Sequence, residues 1–267
     1  MNKLGITIII VLAIVAILSF GLSCNNRQSS KNSTLLRVGM MSGWAPFMVL
    51  DTQGQPAGFD VDVAHAIANK LGRTLEIIDF GSLAPLLVAL EQNKIDCIFS
   101  GLDITKERQN KFIMVPYFGT GFSSFKLLFW EKIPAGIQTI NDLALRNKPI
   151  IAVEPGSASE KFLNQFNFIE QKPLASTSDM LMDVKYGHSL AAILEPLVAK
   201  RVMKQVPELK ALAIPITEEF RVYGMGIALR KDQQELAAAM QQAVITIKPT
   251  IMRFAQRWQI EQEDENV

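Results

Sequence analysis

Arg108 is the residue of this chain best placed to do chemistry. It closes the run Lys94-Ile95-Asp96-Cys97-Ile98-Phe99-Ser100-Gly101-Leu102-Asp103-Ile104-Thr105-Lys106-Glu107-Arg108, and an earlier block, Gly58-Phe59-Asp60-Val61-Asp62-Val63-Ala64, supplies two further carboxylates. A guanidinium presents a planar fork of donors that fits a carboxylate bidentately, and an apolar strand that stops at Ser-Gly exposes backbone groups to whatever lies above it. Such groups together grip a small zwitterion. One arginine after a turn is more often half of a surface ion pair, so it is the conjunction of the two blocks that favours a binding site.

Other chemistries find little support. His65 and His188 each lack a second metal ligand at suitable spacing and a neighbouring nucleophile, and both read as structural or solvent-facing. Of the 2 cysteines, Cys97 lies in an apolar strand, where a thiol behaves as a small hydrophobe. With Cys24 set apart by its position near the start, no disulfide, zinc site or catalytic cysteine remains, and neither cofactor nor metal is expected. The 27 basic and 26 acidic residues leave a net charge of +1, which gives no basic field for nucleic acid and no acidic tail. The 11 methionines are scattered, which suits core filling better than a Met-rich surface.

The first residues read as an address. Lys3 precedes an uncharged apolar run over residues 4–22, then Ser23, Cys24 and a polar stretch over 25–34. This has the form of a bacterial lipoprotein signal: residues 1–23 are a signal peptide, Cys24 is the acylated first residue of the mature chain, and 24–34 are a tether linker. Gly21 departs from that pattern, which has an aliphatic residue there. The run is also long enough to span a bilayer uncleaved as a signal anchor. Either way the protein is exported, periplasmic or at the cell surface, and membrane-anchored.

From Leu35 onward about 230 residues remain, enough for two globular units with real cores. Residues 35–39 form a short apolar strand, a loop with Trp44-Ala45-Pro46-Phe47 follows, and apolar positions at Val61, Ala64, Ile67, Ala68 and Leu71 have helical spacing before a Gly72 stop. The cycle repeats with a strand at 75–78, a helix at 83–90 and a strand at 96–99. Near Gly119-Thr120-Gly121 it restarts, with an extended stretch at 125–130, a short helix at 140–145, and strands at 149–153 and 191–194. Helices are expected near 160–166, 180–186 and 196–206. The tail, extended at 223–229 and then two helical stretches to Trp258, has no partner strand of its own and is expected to return to the first unit. Alternating strands and helices imply mostly parallel sheets that bind ligands beyond the carboxyl ends of their strands.

The blocks already quoted, with Pro116-Tyr117, Asn141-Asp142-Leu143, residues 153–159 and the closing Tyr223-Gly224-Met225-Gly226-Ile227-Ala228-Leu229-Arg230-Lys231-Asp232, resemble the polar amino acid solute-binding proteins of family 3, the capture subunits of bacterial ABC importers. Tyr186-Gly187, Ile193-Leu194-Glu195-Pro196 and Phe118-Gly119 are most similar to arginine-binding members of lipoprotein type. The resemblance implies an α/β, two-lobe periplasmic binding protein fold of type II, with a ligand cleft between the lobes. Lobe 1 would comprise residues 35–118 and 224–267, lobe 2 residues 122–220, with hinges near 119–121 and 221–223.

Carried over position by position, the family's contacts fall as follows. Arg108 matches the clamp on the ligand α-carboxylate, helped by amides at Asp103 and Ala158 within the Ser157-Ala158-Ser159 turn. Glu195 matches the acid that accepts the α-ammonium. Asp103 stands where Ser or Thr is common, Gly101 offers its carbonyl beside Ser100, and Trp44 matches the aromatic under the side chain. On the opposite wall, where relatives often have a second aromatic, the alignment places Leu83, and Phe80 falls three residues too early. Met41 or Ser42 stands where some basic amino acid binders have an acid, whereas Glu154 falls where relatives place a residue that reaches the ligand side chain. Bland roles exist for several of these: Trp44 as core packing, Glu154 as a solvated acid, and Glu195 and Asp103 as caps.

The acidic surplus suits a cation, and a guanidinium lying on Trp44 gains on the order of 1–2 kcal/mol when desolvated. The resulting expectation is a monomeric, non-enzymatic trap that closes over a basic amino acid, arginine first, and presents it to a permease in the inner membrane. Two other readings stay open: an enzyme on the same fold, of cyclic acid dehydratase type, and a surface lipoprotein that senses or binds other proteins.

Overall fold

A computed structural model describes residues 34–260. The expected signal peptide, Cys24, the linker up to residue 33 and the last seven residues lie outside them. Two five-stranded sheets organise the rest. The first has β1 (Leu35–Met40) near its centre, flanked by β4 (Thr74–Asp79) and β5 (Cys97–Ile98), and is completed by β12 (Met225–Arg230) and β6 (Phe112–Phe118) in the order β4-β1-β5-β12-β6. The second contains β7 (Ser124–Trp130), β8 (Ile150–Val153), β9 (Glu170–Pro173), β10 (Ala191–Leu194) and β11 (Leu209–Pro215), in the order β11-β7-β10-β8-β9. A small hairpin, β2 (Val49–Leu50) with β3 (Pro56–Ala57), stands apart from both.

Helices cover both faces of each sheet, which explains the continuous apolar runs in the central strands. On the first sheet, Leu36, Val38 and Met40 of β1 meet α1 (Phe59–Leu71) and the long α7 (Gln234–Arg257), while α2 (Leu83–Glu91) packs Leu86 and Leu90 on the other face against Ile98. In the second sheet Ala191 and Ile193 point to the layer containing α4 (Ala158–Leu163), and Ala192 and Leu194 to that of α5 (Thr177–Lys185) and α6 (Pro196–Gln205). The period of two places every residue of β10 in one core or the other.

Each sheet is parallel in one half and antiparallel in the other: β1 runs parallel to β4 and β5, but β12 runs antiparallel to β5 and β6. The second sheet repeats this, with β8 parallel to β9 and β10, and β7 antiparallel to β10 and β11. The antiparallel halves hold the strands beside the two chain passages between sheets, where direction must reverse. The two helical stretches expected in the tail are one helix, α7, with Pro249 inside it. Pro249 is exposed, so its missing amide bond falls on the solvent side and the packed side continues unbroken.

The passages run side by side. Phe122 bridges Val222, and Gly121 and Gly224 have φ of +92° and +94°. A Cβ on Gly121 would lie 2.1 Å from the Val222 carbonyl oxygen, and one on Gly224 2.7 Å from that of Gly119. Only glycine permits backbones to pass this closely.

Candidate functional site

Arg108 is oriented by local structure. It lies in α3 (Lys106–Lys111), whose first turn is capped by the Thr105 hydroxyl accepting the Arg108 amide at 3.2 Å. Its Nη1 donates to the Asp103 carbonyl at 2.9 Å and its Nη2 to the Gly156 carbonyl, contributed by the second sheet's β8–α4 loop, at 3.1 Å. Two of five donors are thus used to fix the fork, and three remain. Burial lowers the Arg108 pKa, while Asp103, Glu195, Glu154 and Glu107 work in the opposite sense. A guanidinium so placed stays charged.

The Ser100–Asp103 turn is held from beneath. Asp60, in the first turn of α1 and fully buried, accepts the Gly101 amide at 2.5 Å and the Tyr117 hydroxyl at 2.6 Å. Burial pushes the Asp60 carboxyl up to about 7, against the pull of these two hydrogen bonds. The Ser100 hydroxyl accepts the Met41 amide at 3.2 Å. Gly101 has φ +58°, and a Cβ there would stand 2.9 Å from Trp44 Nε1, so the indole lies directly over this glycine.

The Trp44 loop is seated on the start of α1. Phe59 and Asp60 donate their amides to the Pro46 and Phe47 carbonyls at 3.0 Å each, so the loop supplies acceptors for helix amides that have none within the helix. Gly58, at φ +139°, allows this approach, since a Cβ would fall 2.2 Å from the Phe47 carbonyl oxygen. Trp44 Nε1 is buried without a hydrogen-bond partner.

From the second sheet, β8 delivers Glu154 and β10 delivers Glu195. Ser157 caps α4, its hydroxyl accepting the Glu160 amide at 3.0 Å and lying 2.9 Å from the Ser159 hydroxyl. The Ala158 and Ser159 amides open that helix and have no intrahelical acceptor. Glu195 occupies the position before α6, but its side chain makes no capping hydrogen bond.

Trp44, Leu83, Ser100, Gly101, Asp103, Arg108, Glu154, Ser157, Ala158 and Glu195 line one cavity of about 260 Å³ between the sheets. Ser159 does not line it and reaches it only through Ser157. Leu102 is a wall residue that sequence reading did not assign to the site; of the pair Met41 and Ser42, Met41 is in the wall and Ser42 is not. The Gly156 carbonyl and Asp60 were missed as well: the first is a backbone atom, and the second acts across 41 residues of sequence.

Electrostatically the cavity is unbalanced. Burial raises Asp103 well above the usual carboxylate range, and Glu195 adds to this while Arg108 opposes it. Burial and Glu195 push Glu154 up to about 8, and burial also raises Glu195. Three carboxylates share one guanidinium, an arrangement that favours an incoming cation. A second, mostly apolar cavity of about 590 Å³ adjoins it beside the chain passages and shares Trp44, Gly101, Asp103 and Glu195. Among the described residues, no cluster of His, Cys, Asp or Glu is arranged to hold a metal ion.

The model of the bacterial extracellular solute-binding proteins, family 3, matches residues 36–261. The chain belongs to this family. The probable ABC transporter arginine-binding protein ArtJ of Chlamydia trachomatis is 32% identical over 237 residues, which is 88% of this chain and 90% of that protein. An ancestral arginine-binding protein bound to arginine superimposes with a TM-score of 0.71 at 27% identity, covering 84% of this chain and 98% of the other. An ancestral arginine-binding protein bound to glutamine gives 0.71 at 28%, covering 86% and 100%. This family 3 protein has the two-lobe fold of periplasmic binding proteins and is a transport binding protein, not an enzyme. No helix among the described residues is long and apolar enough to cross a membrane.

Proposed function

We propose that the protein captures a free amino acid, arginine above others, outside the cytoplasm and presents it to an ABC permease. One observation carries this reading: a guanidinium held by carbonyls from both sheets shares one cavity with three carboxylates. Arg108 takes the ligand α-carboxylate with the Ala158 amide, Glu195 and Asp103 take the α-ammonium, and the side chain lies between Trp44 and Leu83. The relatives named for arginine support the choice of ligand.

Capture works by closure. Lobe 1, residues 35–118 and 224–267, offers Arg108 and Trp44; lobe 2, residues 122–220, brings Glu154, Glu195 and the Ser157 turn, with hinges near 119–121 and 221–223. The Arg108–Gly156 hydrogen bond and the Lys161–Glu107 pair at 3.6 Å join the two halves. The pair is exposed and contributes less than about 1 kcal/mol; Leu197 packs on the lobe 1 core and Trp44 on that of lobe 2, and a ligand that touches both lobes at once adds to these contacts. Acylated Cys24 tethers a monomer to the membrane through residues 24–34.

A calorimetric and thermal-shift screen of amino acids is the test. Arginine is expected to bind at micromolar Kd or below, on the order of 8 kcal/mol, with the largest rise in melting temperature. Arg108→Ala should abolish binding while leaving the fold intact, and retained affinity in that variant would overturn the site assignment.

A further inference from the structure

We infer that the site accepts amino acids alkylated on the α-nitrogen, the alkyl group lying in the apolar cavity that adjoins the ligand cavity beside the chain passages. The inference deepens the amino acid reading and rests on it. The two cavities divide the residues of the site in an ordered way. Arg108, Leu83, Glu154 and the Ser157-Ala158 turn border the ligand cavity alone, whereas Asp103 and Glu195, the acids proposed to take the α-ammonium, border both. The nitrogen therefore lies at the partition, with the carboxylate clamp on one side of it and the apolar cavity on the other.

Each acid is joined by the backbone to the apolar wall. Asp103 pairs with Met225 through an isolated β-bridge, and Glu195 stands directly before α6, whose Leu197 and Val198 face the same cavity. Val222, Phe118 and Phe47 complete the apolar lining, so both lobes enclose whatever enters. Among the described residues no side chain donates a hydrogen bond to the Asp103 or Glu195 carboxyl. A secondary ammonium keeps its charge and two N–H donors, one for each acid, and its alkyl group replaces only the third donor. Burying that methyl gains roughly fourfold in affinity, and the lost N–H costs a similar factor. An acyl group in the same place removes the charge and leaves both acids without a cation.

The experiment titrates the purified protein calorimetrically with L-arginine, Nα-methyl-L-arginine and Nα-acetyl-L-arginine. The methylated ligand should bind within tenfold of arginine, and the acetylated one at least a hundredfold more weakly than the methylated. Val198→Phe, which fills the apolar cavity, should raise the ratio of the Nα-methylarginine Kd to the arginine Kd at least tenfold, a ratio that a general loss of stability does not move. In the parent protein, nuclear Overhauser effects should connect the N-methyl protons to the methyls of Val198 and Val222. A loss of more than tenfold on methylation with arginine binding retained, equal affinities for the methylated and acetylated ligands, or contacts of the N-methyl group with Leu83 instead would overturn the inference and leave the amino acid reading standing. Failure of arginine and Nα-methylarginine alike to bind would remove that reading, and the inference with it.

Discussion

Asp60 and Glu154 are both carboxyls that the fold makes harder to ionise, and they set how stability depends on pH. Each has a folded-state value, about 7 and about 8, above its value in an unfolded chain. The folded state therefore binds these protons more tightly than the unfolded one, and stability falls as pH rises from about 4 through those values. Asp79, Asp142 and Asp183 are lowered instead, so their contribution is lost only in acid, below the unfolded carboxylate range. Between pH 5 and 8 the ligand-free protein should lose stability on the order of a few kcal/mol, visible as a falling melting temperature. Glu154→Gln should flatten the upper part of that slope and be more stable than the parent at pH 8; a parallel slope in the two proteins would assign it to Asp60, Asp103 and Glu195, which burial raises as well. Most residues that line the cavity were legible at this scale because they sit in short local patterns, Ser100 to Arg108 and Glu154 to Ala158. Asp60 was legible as a motif residue only, since its task appears once folding brings Gly101 and Tyr117 against it.

Among the elements, the junction of the Trp44 loop with α1 couples folding to the site. The loop carbonyls serve the helix amides, and Gly58 is the point at which no side chain is tolerated. Gly58→Ala forces a Cβ into the Phe47 carbonyl and should cost about 3 kcal/mol by urea denaturation. It should also weaken arginine binding by displacing Trp44, and unchanged affinity would show that the loop recovers its position independently. The elements that sequence patterns announced are the buried ones, such as β1, β10 and α1, where a period of two or of 3.6 is written in apolar residues. β9 escaped notice because Glu170-Gln171-Lys172-Pro173 is an edge strand with no apolar residue, its polar side chains suiting an unpaired border. β11 is the opposite edge, and its pairing with β7 depends on a partner about 80 residues away, which no local pattern encodes.

In the molecule as a whole, β6 and β12 are immediate antiparallel neighbours, with Phe112 opposite Arg230 and Phe118 opposite Met225. Both ends of the described chain, β1 and α7, pack in that same sheet's layers. The second sheet is therefore a parenthesis opened between two strands of a hairpin. Closing the hairpin with a short turn from Phe118 to Met225 should leave a protein that melts cooperatively and keeps Arg108, Trp44 and Asp60, yet binds arginine at least a hundredfold more weakly, because Glu154, Glu195 and the Ser157 turn have gone with the insert. If it does not melt cooperatively, the enclosed sheet is needed to fold its host. Such an arrangement makes the enclosed half a cassette: it can be exchanged for another with different cavity residues, while Arg108 and both ends of the described chain stay where they are.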